Sequence, residues 1–361
     1  MKTIYQTILI GLFLTLVIAG QHAIAGPKKA KKPASIPASK LFGFVLEGAP
    51  LKARAIGFYT RGCLAGGKAL AVDGPAWQAM RLYRNRNWGH PKLIEFIEKL
   101  AAGVRAEDGW PGLLVGDLSQ PRGGPMLSGH RSHQMGLDAD IWLNPMPAVR
   151  YSKRQRNERS AVSMLDSSGL KVNSKVWTSS HVKVIKRAAS FKEVSRVLVH
   201  PAIKKALCKA ATGNRSWLRK VRPWYGHHYH MHIRLDCTDG AGCKNQGAPP
   251  AGDGCGKQLD HWFKILSKKR KPVCSYGRLE SKGKGFYCKC SDKFKRVAVG
   301  NKGGAKCINP DGTVPRPKKY VKDLNWMPKA CRAVLKAGEP PLLKARGLGE
   351  DIDLPVRKSN R

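Results

Sequence analysis

Three things are missing from this 361-residue sequence: a Cys-x-x-Cys pair, an internal repeat and, past about residue 20, any apolar run long enough to span a bilayer. The first absence argues against a zinc ribbon, since the closest approach is the Cys-x-Cys of Cys288 and Cys290. The last leaves a chain with no expected membrane span. Acidic residues are also scarce, 24 against 66 Lys and Arg, for a formal net charge of +42.

What is present begins with Lys2, an apolar run from about Ile8 to Gly20, and alanines at 23 and 25. That is the charged, apolar, small-residue order of a secretory signal peptide, so residues 1–25 are expected to be removed by cleavage after Ala25. No cysteine follows the run, which argues against a lipid anchor. An exported chain meets an oxidising compartment, and its ten cysteines then read as up to five disulfides. In a cytosolic protein the positive charge would point first to nucleic acid. Export removes the chain from the chromosome, so no nucleic-acid partner is expected, and the field instead concentrates the protein on anionic envelope polymers or the free carboxylates of wall peptides. The charge speaks to location, expected to be the periplasm, more than to activity.

Residues 26–40 are rich in Lys, Pro and Ala and read as a disordered lead-in. A globular domain is expected over 41–265. Within it, "HPKLIEFIEKLAAGV" spaces Leu93, Ile94, Phe96, Ile97 and Leu100 as a helix with Gly103 as its stop. "GLLVGDLS" reads as a short buried strand, "LDADIWL" and "HYHMHIRLDC" as alternating strands, and Pro201 as the first residue of a helix. Helices mixed with strands and tight Gly turns argue for an α+β fold: a small antiparallel β-sheet flanked by helices. Residues 266–325 are basic, weakly periodic and carry Cys274, Cys288, Cys290 and Cys307, which reads as a disulfide-stapled insertion. A structural zinc on those four cysteines is the alternative. A C-terminal segment, 326–361, follows, with a tail expected to be disordered.

Chemistry concentrates in two windows. In "GHRSHQMGLDADIWL", His133 and Asp140 stand seven residues apart. Extended chain would separate them by roughly 23 Å, too far to share one ion with bonds of about 2 Å. The chain must turn between them, and Gly136 supplies the permissive backbone. Beyond the turn, Asp138 and Asp140 project from one face of a strand. In "GHHYHMHIRL", His230 and His232 likewise share a face, with His227 and His228 just before them. Taken singly, each of these residues is as easily a satisfied core or surface group. Taken together, a His-x6-Asp and a His-x-His in an exported chain offer two imidazoles and one carboxylate, the three protein ligands of a catalytic zinc with a fourth position for water.

"GDLSQPRGGPMLSGHRSHQMGLDADIWL" and "WLRKVRPWYGHHYHMHIRLDC" closely resemble the penicillin-insensitive murein endopeptidases, in the group of zinc peptidases that includes lysostaphin and the D-Ala-D-Ala metallopeptidases. The resemblance runs from about Gly57 to Phe263 and resumes near "MPKACRAVL". It implies that His133, Asp140 and His232 hold Zn2+, that His230 acts as base or oxyanion stabiliser, and that His227 lines the site. His130 matches a histidine sometimes assigned to metal as well, and Asp138 is expected to orient an imidazole. The role of His228 is left open. Where some members offer an Asp and a His to a second metal, this chain has Ser168 and Lys171, which argues against a second, fully liganded ion. The resemblance further implies disulfides Cys63 to Cys331, which ties the C-terminal segment to the core, Cys208 to Cys255 and Cys237 to Cys243.

The activity so implied is β-lactam-insensitive, zinc-dependent hydrolysis of D-alanyl to meso-diaminopimelyl cross-links in peptidoglycan, and family members are in some cases homodimers. The competing readings are a D,D-carboxypeptidase or related wall amidase using the same zinc, and a non-catalytic cationic wall-binding protein.

Overall fold

A computed structural model of the protein describes residues 35–267 apart from 238, 239 and 241, short segments between 274 and 310, and residues 322–338. The expected signal peptide lies outside the described residues, as do most of the lead-in and the end of the tail. The order of elements is α1 (Ala38–Gly43), the hairpin β1 (Arg54–Phe58) and β2 (Arg61–Ala65), then β3 (Lys68–Ala69), β4 (Asp73–Gly74), β5 (Trp77–Ala79) and β6 (Trp88–Gly89). Next come α2 (Pro91–Glu107), β7 (Leu113–Val115), β8 (Asp138–Trp142), α3 (Lys153–Glu158), α4 (Ser179–Ser190), β9 (Val194–Val199) and α5 (Pro201–Ala210). They are followed by β10 (Val221–Pro223), β11 (His230–Leu235) and α6 (Lys257–Ser267), and α7 (Ala330–Lys336) comes last.

The class is α+β, as expected, but the sheet is neither small nor wholly antiparallel. Seven strands run in the order β10-β9-β11-β8-β7-β5-β4, and the β10/β9 and β5/β7 pairs are parallel. The inner pairs β9/β11, β11/β8 and β8/β7 are antiparallel. The added outer strands β4, β5 and β10 are two or three residues long, too short for a period-2 signal to show in sequence.

Helix α2 begins where Pro91 sits at the first helical position and His90 Nδ1 accepts from Lys92 N at 3.3 Å. It does not stop at Gly103. The apolar stripe continues to Val104, and Gly103 lies inside the helix against the Arg187 side chain, where an added Cβ would be 2.9 Å from Nη1. Leu93, Phe96, Ile97 and Leu100 of α2 join Val184, Ile185 and Ala188 of α4 and Ile141, Val197 and Ile233 of the sheet in one buried cluster. Each such side chain contributes roughly 1.5–3 kcal/mol by leaving water, enough to fix β8 and β11 side by side.

A second cluster joins Phe42 of α1, Ile56 and Cys63 of the hairpin, and Cys331 and Val334 of α7. Helix α1 therefore starts at Ala38, inside the stretch read as lead-in. The three disulfides that the resemblance implied are formed, with Cα separations of 5.8 Å for Cys63–Cys331, 5.8 Å for Cys208–Cys255 and 5.9 Å for Cys237–Cys243. In the insertion, strands β12 (Cys274–Ser275), β13 (Arg278–Lys282), β14 (Gly285–Lys289), β15 (Lys295–Val299) and β16 (Gly304–Ile308) form a three-stranded sheet and a hairpin. Cys290 and Cys307 are bridged there, which rules out a zinc held by all four insertion cysteines. Among the described residues no helix is long and apolar enough to cross a membrane.

Candidate metal centre

The β8/β11 register sets the site. Asp140 pairs directly with His232, and Asp138 with Arg234. Because side chains alternate along a strand, these two pairs share one face. The loop between β7 and β8 returns over that face and delivers the remaining residues. His133 itself takes the left-handed conformation, φ 67°, and Gly136 follows at φ 71°. The turn that the spacing demanded is thus made at two positions rather than at the glycine alone. Asp138 Oδ2 accepts from His133 N at 2.8 Å, which clamps the loop to the strand.

Around Asp140 the imidazoles converge. His232 Nδ1 lies 3.0 Å from Asp140 Oδ1, His133 Nε2 3.5 Å from the same oxygen, His130 Nδ1 3.5 Å from Oδ2 and His230 Nε2 3.6 Å from Oδ2. Ligand atoms of His130, His133 and Asp140 all lie within 4.8 Å of one another. His227 packs on His230 with ring centroids 4.9 Å apart. His228 does not join them: its Nδ1 lies 3.0 Å from Ser163 Oγ. Ser168 and Lys171 belong to an exposed turn in which Ser168 Oγ donates to Asp166 Oδ1 at 2.6 Å, so neither faces the cluster.

Charge is arranged to keep the carboxylates ionised. Burial acts to raise the Asp140 carboxyl, but His230, His133 and His130 outweigh it and hold the group well below the usual carboxylate range. Asp138, also fully buried, is held down by Arg234 and His232 against the same penalty. His232 is pushed up despite its burial, because Asp138 and Asp140 flank it. Burial lowers His230, and it lowers His227 to about 3 with help from His232 and His230, so both imidazoles are neutral at pH 7.

The fit to a metal rests on His133. Both of its ring nitrogens are buried without a hydrogen-bond partner among the described residues. Such a group costs about 1–3 kcal/mol unless something binds it. With nitrogen and oxygen donors from His130, Asp140 and His232 beside it, the donor set suits a divalent metal ion.

Several members of the site were not read from sequence. Arg234 Nε donates to Asp138 Oδ1 at 2.7 Å, its guanidinium lies 4.1 Å from the centroid of the Tyr59 ring, and His232 Nε2 meets Asp138 Oδ1 at 3.1 Å. The alternation that pairs His230 with His232 extends to Arg234, so that signal was available. Asp117, whose Oδ2 lies 3.1 Å from His130 Nε2, comes from the end of a buried strand segment and carried no signal.

The sequence profile of the penicillin-insensitive murein endopeptidases matches residues 55–336. The chain belongs to that family. Among proteins named penicillin-insensitive murein endopeptidase, that of Haemophilus influenzae is 46% identical over 213 residues, 59% of this chain and 74% of the relative. Those of Pectobacterium atrosepticum and Escherichia coli are 44% identical over 211 residues and 42% over 215, covering 58% and 59% of this chain and 74% and 78% of theirs. The family match spans the hairpin, the whole sheet and α7, so it includes every residue of the cluster and the disulfide that joins Cys63 to Cys331.

Proposed function

We propose that this protein is a zinc-dependent murein endopeptidase of the periplasm that hydrolyses D-alanyl to meso-diaminopimelyl cross-links of peptidoglycan. Family membership supports the reaction class. The observation that carries the metal is His133, fully buried with neither ring nitrogen in a well-formed hydrogen bond and Nε2 3.5 Å from Asp140 Oδ1.

In this reading His133, Asp140 and His232 hold the zinc, with His130 at its border. Bound there, zinc supplies Lewis acidity toward the scissile carbonyl and a nucleophile at neutral pH. Asp138 keeps His232 in place through Nε2, which leaves Nδ1 for the ion. His230, neutral because it is buried, takes the proton released as water adds to the carbonyl and donates to the oxyanion that forms. His230 then passes that proton to the departing amine as the carbon–nitrogen bond breaks, and His227, its ring 4.9 Å from that of His230, lines the site beside it. The net change is one water consumed, with a carboxylate and an amine released. No serine acyl-enzyme forms, so β-lactams leave the reaction untouched.

Digestion of purified cross-linked wall material, with identification of the new termini, tests the reading. New diaminopimelyl amines with loss of dimers are expected, and chelation should abolish them. Release of free D-alanine from uncross-linked pentapeptide with dimers left intact would show a carboxypeptidase instead, and wall binding without turnover would show a binding protein.

A further inference from the structure

Two arginines and a histidine converge on one carboxylate oxygen beside the cluster. Asp117 Oδ2 lies 2.9 Å from Arg86 Nη1, 3.0 Å from Arg84 Nη1 and 3.1 Å from His130 Nε2. One carboxylate needs one guanidinium to balance it, and Arg86 meets that need from a nearly buried position. Its side chain is 10% exposed, and its Nη2 donates to Ser128 O at 3.1 Å. Arg84 is then a cation in excess. Its side chain is 35% exposed, and besides Asp117 it touches its neighbour Tyr83, with Nε 3.4 Å from the hydroxyl.

The backbone that presents Arg84 is strained. The short turn Leu82–Arg84 is flanked by Arg81 at φ 56° and Asn85 at φ 51°. Among the described residues the only other non-glycine at positive φ is His133. Left-handed conformations of this kind persist where the surroundings impose them. Here Arg81 N donates to Arg156 O at 3.1 Å, Arg81 Nη1 to Asn157 O at 2.7 Å, and Asn85 Nδ2 to Leu46 O at 3.0 Å. A turn pinned at both ends thus holds a second, part-exposed guanidinium on Asp117 at the rim of the site. Tyr229 adds a polar edge nearby, its ring 4.6 Å from that of His230.

We propose that Arg84 binds the substrate carboxylate carried on the same carbon as the leaving amine. The inference rests on the cross-link reading above, in which the diaminopimelyl carbon that bears the scissile nitrogen also bears a free carboxylate. The geometry places the guanidinium one side chain away from the cluster: Asp140 to His130 at 3.5 Å, His130 to Asp117 at 3.1 Å, Asp117 to Arg84 at 3.0 Å. A planar fork meets a carboxylate through two parallel hydrogen bonds, which a lysine ammonium cannot reproduce.

Two muropeptide dimers that differ only at that group, carboxylate in one and carboxamide in the other, read the role in the metal-loaded protein. The carboxylate dimer is expected to be cleaved with a kcat/KM ~10- to 100-fold higher. Arg84→Gln should bring the two dimers level, and Arg84→Lys should leave an intermediate preference. Arg84 also steadies Asp117 and so His130, but loss of that support slows both dimers alike. An unchanged ratio in Arg84→Gln, or equal cleavage by the unaltered protein, overturns the proposal. Calorimetric binding of the released diaminopimelyl peptide, as carboxylate and as carboxamide, separates this inference from the endopeptidase reading. A carboxylate preference lost in Arg84→Gln supports it even where neither dimer is cleaved, and binding indifferent to the substitution overturns it.

Discussion

Asp140 and His232 face each other across the β8/β11 ladder, and His232 Nδ1 lies 3.0 Å from Asp140 Oδ1. Two buried groups on neighbouring strands cannot drift apart without breaking the sheet, so this pair is as rigid as the central ladder. Rigid placement matters because a misplaced ligand loses affinity steeply. Purified protein should carry about one zinc per chain, as a site with three protein ligands does. His133→Ala and Asp140→Asn should each lose more than the ~100-fold in zinc affinity typical of removing a supporting residue, read by elemental analysis and chelator competition. Full zinc content in both variants would refute the ligand set.

Asp138 gives a second, graded expectation. Its two oxygens are shared among His133 N, His232 Nε2 and Arg234 Nε, so it fixes one proposed ligand through the backbone and the other through the ring. Asp138→Asn keeps the shape and loses the charge. Zinc affinity should fall ~10- to 100-fold, with the ligands all present. Arg234→Met leaves Asp138 buried without its guanidinium partner, with only His232 to balance it, and should cost up to about 3–5 kcal/mol in urea unfolding. An affinity unchanged in Asp138→Asn would mean that Asp138 serves the fold alone.

Much of this was legible because the chemistry-bearing residues lie on strands, where a period of two is visible in sequence. His230 and His232, Asp138 and Asp140, and the need for a turn after His133 all follow from that period and from bond lengths. Pairing is another matter. That Asp140 meets His232 rather than His230 depends on register, set by packing among Ile141, Val197 and Ile233, residues far apart in sequence. Asp117, Arg84 and Arg86 reach the site from a loop and a strained turn with no periodic pattern. Gly103 looked like a stop, yet it lies inside a helix that runs on to Glu107, because the apolar stripe continues through Val104.

Stability in acid has a specific handle in His200. Its Nδ1 accepts from Ala202 N at 3.2 Å, capping α5, and burial, aided by His228, lowers its pKa to about 4 from an ordinary 6.5. The unfolded chain therefore takes up a proton first as pH falls. The contribution of His200 to stability should be complete above about pH 6.5, be lost progressively down to about pH 4, and fall no further below that. The shift corresponds to about 3 kcal/mol. His200→Asn retains a capping oxygen but cannot titrate, so its urea midpoint should vary less than that of the unaltered protein between pH 6.5 and 4. Identical pH dependence of the two proteins would sink the assignment.

Gly136 offers the sharpest check on the turn that joins the two halves of the first motif. At φ 71° it can be replaced only with strain, and a Cβ there would lie 2.7 Å from Leu64 Cδ2 and 2.9 Å from His90 N. His90 N also donates to Gly136 O at 2.8 Å and caps α2, so the obstruction includes backbone that cannot step aside. Gly226 is the natural control: its φ is 72°, but nothing lies within 4 Å of its added Cβ. Gly226→Ala should cost only the conformational penalty, about 1–2 kcal/mol. Gly136→Ala should cost more than that in urea unfolding and should also weaken zinc binding, because a shifted turn moves His133 against Asp140. Equal losses at the two glycines would show that backbone handedness, not packing against Leu64 and His90, sets the geometry of the site.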